Sequence, residues 1–310
     1  MNYSACVSSE VLLGRSTRAS TVYFVTFVYI YVFTAVVSTV LNALIISTLL
    51  LAKELHGVFY KILGSLFISD LITGSVIFPM LAILNATFTQ PDCLLLTACQ
   101  LCVHTISLAS ILSMMAIAYD RFLRAWKRHN YSMCMNQSKG HLIVVSIWIV
   151  SPVVGALTTF VYEKLIAILA VFVVVLILIF YLITLRKLKS SRNRVSDTLS
   201  TCPSHSGPNP TGPTNGVRRS SRLVFVLVLV MLLSWLPSIS ISLVSSEKLY
   251  STNRYFLTAV QQLPLLSAIT SPFLYFWTNR TTRRCFIAFC QKIFCHKRHN
   301  TENNVTAFSH

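Results

Sequence analysis

Residues 165–185 read LIAILAVFVVVLILIFYLITL, 21 residues with neither a charge nor a proline. At about 1.5 Å per residue, a helix of that length reaches about 31 Å. That matches the hydrocarbon core of a bilayer, about 30 Å thick. The run is too long for a signal-peptide core and too apolar for a helix of a soluble core. It also lacks the alternation of a barrel strand. It reads as a membrane-spanning helix. Six more runs of that kind lie around it, at residues 22–52, 62–88, 93–119, 142–162, 223–246 and 255–279. Only Asp70 interrupts the second, and the third ends at Asp120 and Arg121. The fold class that follows is an all-α membrane protein with seven transmembrane helices.

The composition agrees. Of 310 residues, 54% are hydrophobic and 11% charged, where a soluble domain carries about 25% charged residues. The net charge of +17 comes from 26 Lys and Arg against 9 Asp and Glu. A basic excess in a soluble chain would suggest nucleic acid. Here its distribution says otherwise. Two basic residues follow span one, five follow span three, eight follow span five and six follow span seven, so 21 lie on one side and five on the other. Loops rich in Lys and Arg stay in the cytoplasm. The expected topology is an outside N-terminus and a cytoplasmic tail, with the basic loops against anionic inner-leaflet lipid and no nucleic-acid partner. Residues 1–20 are polar and carry no cleavable leader of their own, so span one is expected to act as the insertion signal. The division expected is an outside N-terminal segment (1–21), a seven-helix domain (22–279) with a long inner loop (186–222), and a tail (280–310). Within the loop, residues 190–215 are rich in Ser, Thr, Pro, Asn and Gly and read as a flexible linker.

Charges inside a membrane are costly and are usually kept for function. Asp70 is the only acid deep within a span, and the Asp120-Arg121 pair closes the third. No His/Glu cluster suits a metal, and no Ser/His/Asp arrangement suits hydrolysis, so an enzyme is not expected. A transporter or channel coupled through Asp70 stays open as an alternative, although no internal repeat is visible.

The order of motifs resembles the rhodopsin-like (class A) G-protein-coupled receptors over nearly the whole chain. Asn42 stands where that family has its first-helix Asn. Leu66 and Asp70 match Leu-x-x-x-Asp of the second helix. Asp120-Arg121-Phe122 matches Asp-Arg-Tyr of the third, with Tyr131 in the loop after it, and Trp148 matches the fourth-helix Trp. Ser234-Trp235-Leu236-Pro237 matches Cys-Trp-x-Pro of the sixth. Ser271-Pro272-Phe273-Leu274-Tyr275 matches Asn-Pro-x-x-Tyr of the seventh. Arg283 and Phe286 fit a short amphipathic eighth helix on the inner leaflet.

The resemblance implies roles. Arg121 would be held by Asp120 at rest and meet a heterotrimeric G protein once helix six moves outward, with arrestin a further partner. Pro237 would give helix six a hinge with Trp235 as its lever, and Tyr181, Pro272 and Tyr275 would complete the switch. An allosteric sodium ion would sit at Asp70, Ser110, Ser267 and Ser271; otherwise Asp70 is a neutral, hydrogen-bonded side chain. No other cofactor is implied. The outer cavity would be lined by Gln100, Val103, His104, Ser107, Ser238, Ser242 and Gln261, with Thr258 beside them. Val103 replaces the Asp of amine receptors and Leu265 replaces the Lys of opsins, so an uncharged or amphiphilic small molecule, a lipid or a peptide is the ligand class expected. A helix-packing His is the competing reading of His104.

Departures from the pattern narrow the resemblance. Leu96 replaces the third-helix Cys, and residues 162–164, between the fourth and fifth spans, contain no Cys to pair with it. The fifth helix lacks its usual Pro near Val173. In these features the chain is loosely similar to the melanocortin, lysophospholipid, cannabinoid and adenosine branch. Cys6 and Cys93 both fall outside, and either a bridge or two thiols is compatible with the sequence. Asn2 and Asn85 head outside glycosylation sequons, and Cys290 and Cys295 are palmitoylation candidates. The expected location is the plasma membrane. A receptor-like chain that has lost signalling and serves as a partner is a further alternative.

Overall fold

The computed structural model describes residues 18–52, 55, 57–86, 93–127, 130–161, 165–200, 214–244, 256, 259–260, 262–278, 283–287 and 291. Among these residues there is no strand. The helices are α1 (Arg18–Leu51), α2 (Val58–Ile72), α3 (Phe78–Ala86), α4 (Cys93–Trp126), α5 (Tyr131–Cys134), α6 (Gln137–Phe160), α7 (Leu165–Ser200), α8 (Thr214–Val244) and α9 (Ser267–Thr278). Helix α1, the α2–α3 pair, α4, α6, α7, α8 and α9 are spans one to seven. Five are long and apolar enough to cross a bilayer: Val25–Leu51, Val58–Ala86, Cys93–Trp126, Gln137–Phe160 and Leu165–Lys187. Two shorter apolar stretches, Val228–Leu243 and Leu263–Trp277, lie where spans six and seven were expected.

Side chains point in two directions because the solvent around the bundle is apolar as well. Large hydrophobics such as Tyr29, Phe33, Leu142 and Trp277 are 66–73% exposed. In water that belt would drive aggregation; in lipid it is the natural surface. The interior is instead packed around α4, which touches α2, α6, α7 and α8. Its buried face runs through Leu108, Ile111, Met114 and Ile117 to Asp120 and Arg121.

Close helix contacts need small residues. A Cβ built on Gly155 of α6 would lie 2.4 Å from Thr105 Oγ1 and 3.0 Å from its Cα, and one on Gly74 would lie 2.8 Å from the Thr39 backbone nitrogen. Gly74 sits in a π-helical turn, Thr73–Ile77, that joins α2 to α3. The extra residue in that turn re-aims the second half of the span. Polar groups inside the bundle bind backbone and one another. Asn42 Nδ2 donates to Ser38 O and Ala268 O, both at 2.8 Å, tying α1 to α9. Trp148 Nε1 donates to Ser65 Oγ at 3.0 Å, and Ser65 meets Ser113 at 3.1 Å. These bonds join α6, α2 and α4.

Several helices outrun the apolar runs expected from the sequence. The second span starts at Val58 rather than 62, α4 continues to Trp126, α7 to Ser200, and α8 begins at Thr214. Residues 190–200 and 214–215 of the expected flexible linker are therefore helical. Past the membrane a helix keeps its own hydrogen bonds, and Arg, Lys and Ser do not stop it. Apolar content marks the membrane, not the end of the helix. Residues 283–287 are helical, where the amphipathic helix was expected.

Candidate functional site

The densest buried polar cluster in the bundle lies at the Arg121 end of α4. Asp120 is fully buried and Arg121 is 5% exposed. An Arg121 terminal nitrogen lies 3.1 Å from Asp120 Oδ2, an ion pair whose alignment falls short of a hydrogen bond. The other Asp120 oxygen, Oδ1, accepts a short hydrogen bond from the Tyr131 hydroxyl of α5. Burial and the Asp120 carboxylate push the Tyr131 phenol above its ordinary range, so it remains a donor. The Arg124 guanidinium stacks on the Tyr131 ring at 4.3 Å, and that of Arg121 on the Phe59 ring at 3.6 Å. A charge so deeply buried is costly unless compensated. Here an opposite charge and an aromatic face compensate it.

Phe122, the residue after the pair, enters an aromatic cluster between α4 and α7. Its ring lies 5.3 Å from Phe180 and 5.9 Å from Trp126, with Tyr119 5.5 Å from Phe180. Lys187 Nζ caps the Trp126 ring at 4.2 Å. Of the other expected switch residues, Tyr275 of α9 is fully buried against Phe67 of α2, with ring centres 5.3 Å apart. Pro272 is buried inside α9. Pro237 lies inside α8 and denies the Leu233 carbonyl its helical donor. Trp235 is buried near it, and Tyr181 is half-buried on α7.

A small cavity opens beside Trp235. It is lined by Leu66, Ile111, Met114, Val230 and Met231 together with Ser110, Ser267 and Ser271. The three serines expected around Asp70 thus face one space. Ser271 lies beside the Asp70 carboxylate. The second carboxylate oxygen, Oδ2, is buried with no partner among the described residues. Ser267 Oγ donates to Pro264 O at 2.6 Å and keeps lone pairs for a cation. A hard monovalent cation fits this all-oxygen set. No group of three or more His, Cys, Asp or Glu suited to a metal occurs among the described residues.

The expected ligand residues do not line that cavity. Gln100 is exposed, and Val103, Ser107 and Ser242 are half-buried. The Ser242 hydroxyl donates to Ser238 O on its own helix at 2.9 Å. His104 Nδ1 meets Thr159 Oγ1 at 2.9 Å, which joins α4 to α6. Gln261, Asn2, Cys290 and Cys295 lie outside the described residues, as does Thr258. Asn85 is described, in the last turn of α3, where its Nδ2 donates to Leu81 O at 2.7 Å. Cys93 is disulfide-bonded to a partner outside the described residues, while Cys99, Cys102 and Cys134 are free thiols. Sequence reasoning missed Phe59, Arg124 and Thr159. The only hint of Phe59 was an aromatic ring near the start of span two, level with the end of span three.

A bundle of membrane-crossing helices with a buried Asp-Arg pair at one end defines a class, the multi-pass helical membrane proteins. Residues 41–167 match the family described as 7 transmembrane receptor (rhodopsin family). Over those residues, about two fifths of the chain, it is similar to that family. Among curated proteins it is similar to the adenosine receptor A3 of Bos taurus, 31% identical over 133 residues, covering 42% of this chain and 41% of the relative. It is 29% identical over 133 residues to the adenosine receptor A3 of Canis lupus familiaris, covering 42% and 41%. The olfactory receptor 10A6 of Homo sapiens is 30% identical over 161 residues, covering 50% and 49%. The chain thus spans between two fifths and half of the length of these relatives.

Proposed function

We propose that the chain is a signalling receptor of the plasma membrane, with its N-terminus outside, its tail in the cytoplasm, and a heterotrimeric G protein as partner. One observation carries this reading: Asp120 and Arg121 are buried together at the end of α4 and tied to α5 by Tyr131. A buried guanidinium that swings outward when a neighbouring helix moves offers a cationic docking point. An agonist would favour that open state by binding it better than the closed one. Arrestin would use the same surface.

The relatives bearing adenosine receptor names support a small uncharged ligand, with Gln100, Val103, His104, Ser107, Ser238, Ser242 and Gln261 as the proposed contacts. A sodium ion at Asp70, Ser110, Ser267 and Ser271 would favour the closed state by adding charge compensation to a buried carboxylate. Glycans at Asn2 and Asn85 and acyl chains at Cys290 and Cys295 belong to the same proposal. No acid stands at Val217, where some related receptors lock their arginine, so basal signalling is expected.

The test is the full chain expressed in cells with a panel of G-protein activation sensors. Basal activation above mock-transfected cells, lost on Arg121→Ala at equal surface expression, is the expected result. An unchanged signal in Arg121→Ala would refute the reading.

A further inference from the structure

Asp120 and Arg121 belong to the same helix, so their ion pair moves with α4 as one body and cannot by itself restrain Arg121 relative to the rest of the bundle. A restraint has to come from another element. Residues 214–220 of α8 read TNGVRRS and contain no acid. A contact that does cross from α4 to another helix is aromatic: the Arg121 guanidinium carbon lies 3.6 Å from the centre of the Phe59 ring of α2. Both side chains are buried, at 5% and 6% exposure. The Phe59 ring is fixed in turn by the edge of Tyr60, 5.2 Å away at 66°. A planar guanidinium is weakly hydrated and stacks on ring faces, and the attraction to the ring quadrupole grows as water is excluded.

We propose that Phe59 is a positioning residue of the switch, its ring face holding the Arg121 guanidinium in the resting arrangement across the α2–α4 boundary. The inference rests on the signalling reading above and adds the residue that regulates it. Releasing Arg121 toward a partner then requires leaving the ring. Weakening the ring quadrupole shifts the balance toward the released state even when ring size is unchanged.

The experiment uses the full chain in membranes, with Phe59 carrying none, one, two or three ring fluorines, and with Phe59→Leu. Basal G-protein nucleotide exchange per surface copy should rise stepwise with fluorination. It should reach about tenfold in Phe59→Leu, the equivalent of about 1.4 kcal/mol. Exchange that ignores fluorine number overturns the proposal, and the near-isosteric series decides if Phe59→Leu fails to fold. A second arm needs no G protein: the thermal midpoint of the purified full chain in a double-mutant cycle of Phe59→Leu and Arg121→Gln. Phe59→Leu should lower the midpoint clearly in the wild-type background and much less beside Arg121→Gln. An additive cycle contradicts the stack without touching the signalling reading. A coupled cycle, with exchange unchanged by Arg121→Ala, contradicts the signalling reading without touching the stack.

Discussion

At the Arg121 end of the bundle, Asp120, Arg121, Tyr131, Arg124 and Phe59 bring α2, α4 and α5 into one buried cluster. At the Cys93 end, polar side chains are satisfied singly or in pairs, the longest reach being the Tyr31 hydroxyl of α1, which donates to Gln262. Ser242 binds its own helix, Asn85 and Thr97 do the same, and His104 reaches across only to Thr159. Under the proposed receptor function, the difference separates two tasks. A cluster whose members compensate one another rearranges together or not at all, which is what a two-state switch requires. Helices that satisfy their own hydroxyls leave the residues between them able to vary with the ligand.

The sharpest way to break this contrast is at Gly155, in the half of the bundle that holds His104. A larger side chain there meets both Thr105 Oγ1 and the Thr105 backbone. Overpacking costs about 1–3 kcal/mol, toward the upper end where the obstacle is backbone. Gly155→Leu should therefore remove most folded protein from the surface, measured by surface labelling and by fluorescence-detected size exclusion. A well-expressed Gly155→Leu would mean that α4 and α6 are not in contact as described.

Tyr131→Phe comes next. It leaves a carboxylate oxygen of a fully buried Asp120 without its donor, a loss of about 2 kcal/mol. The expected outcome is a lower thermal midpoint together with raised basal nucleotide exchange. A midpoint drop without the signalling change would assign Tyr131 to packing alone. Smallest is Thr159→Val, which removes one neutral hydrogen bond from His104, about 1 kcal/mol. It should lower the midpoint slightly and leave basal exchange where it was. A marked rise in exchange would extend the switch to the Cys93 end.

How much of this the sequence carried differs between the same two regions. Asp120 and Arg121 were legible because a charged pair at the end of an apolar run has few physical excuses. Asp70 was legible for the same reason, whereas Ser110, Ser267 and Ser271 were named only through the family resemblance; the three serines line one cavity. Phe59 was not legible. An aromatic residue near a span end reads equally as part of the membrane-interface belt, and its stacking on Arg121 depends on how α2 lies against α4. The π-helical turn at Thr73–Ile77 is hidden inside a run that is apolar throughout. It changes which face of α3 looks inward without changing composition. His104 was read both as a ligand contact and as a packing residue. Its bond to Thr159, 55 positions away, is a tertiary fact. The ends of α4, α7 and α8 were placed short because hydropathy senses lipid, whereas a helix ends where its backbone hydrogen bonds do.

The central proposal is that the buried Arg121 cluster is the signalling end of a receptor. Its most direct test is guanine-nucleotide exchange by the purified full chain in lipid nanodiscs, across a panel of heterotrimeric G proteins, with and without Arg121→Ala. The predicted result is exchange above empty discs for at least one heterotrimer, falling to the empty-disc rate in Arg121→Ala. Equal exchange by the wild type and Arg121→Ala, or none with any heterotrimer from a folded chain, would contradict it.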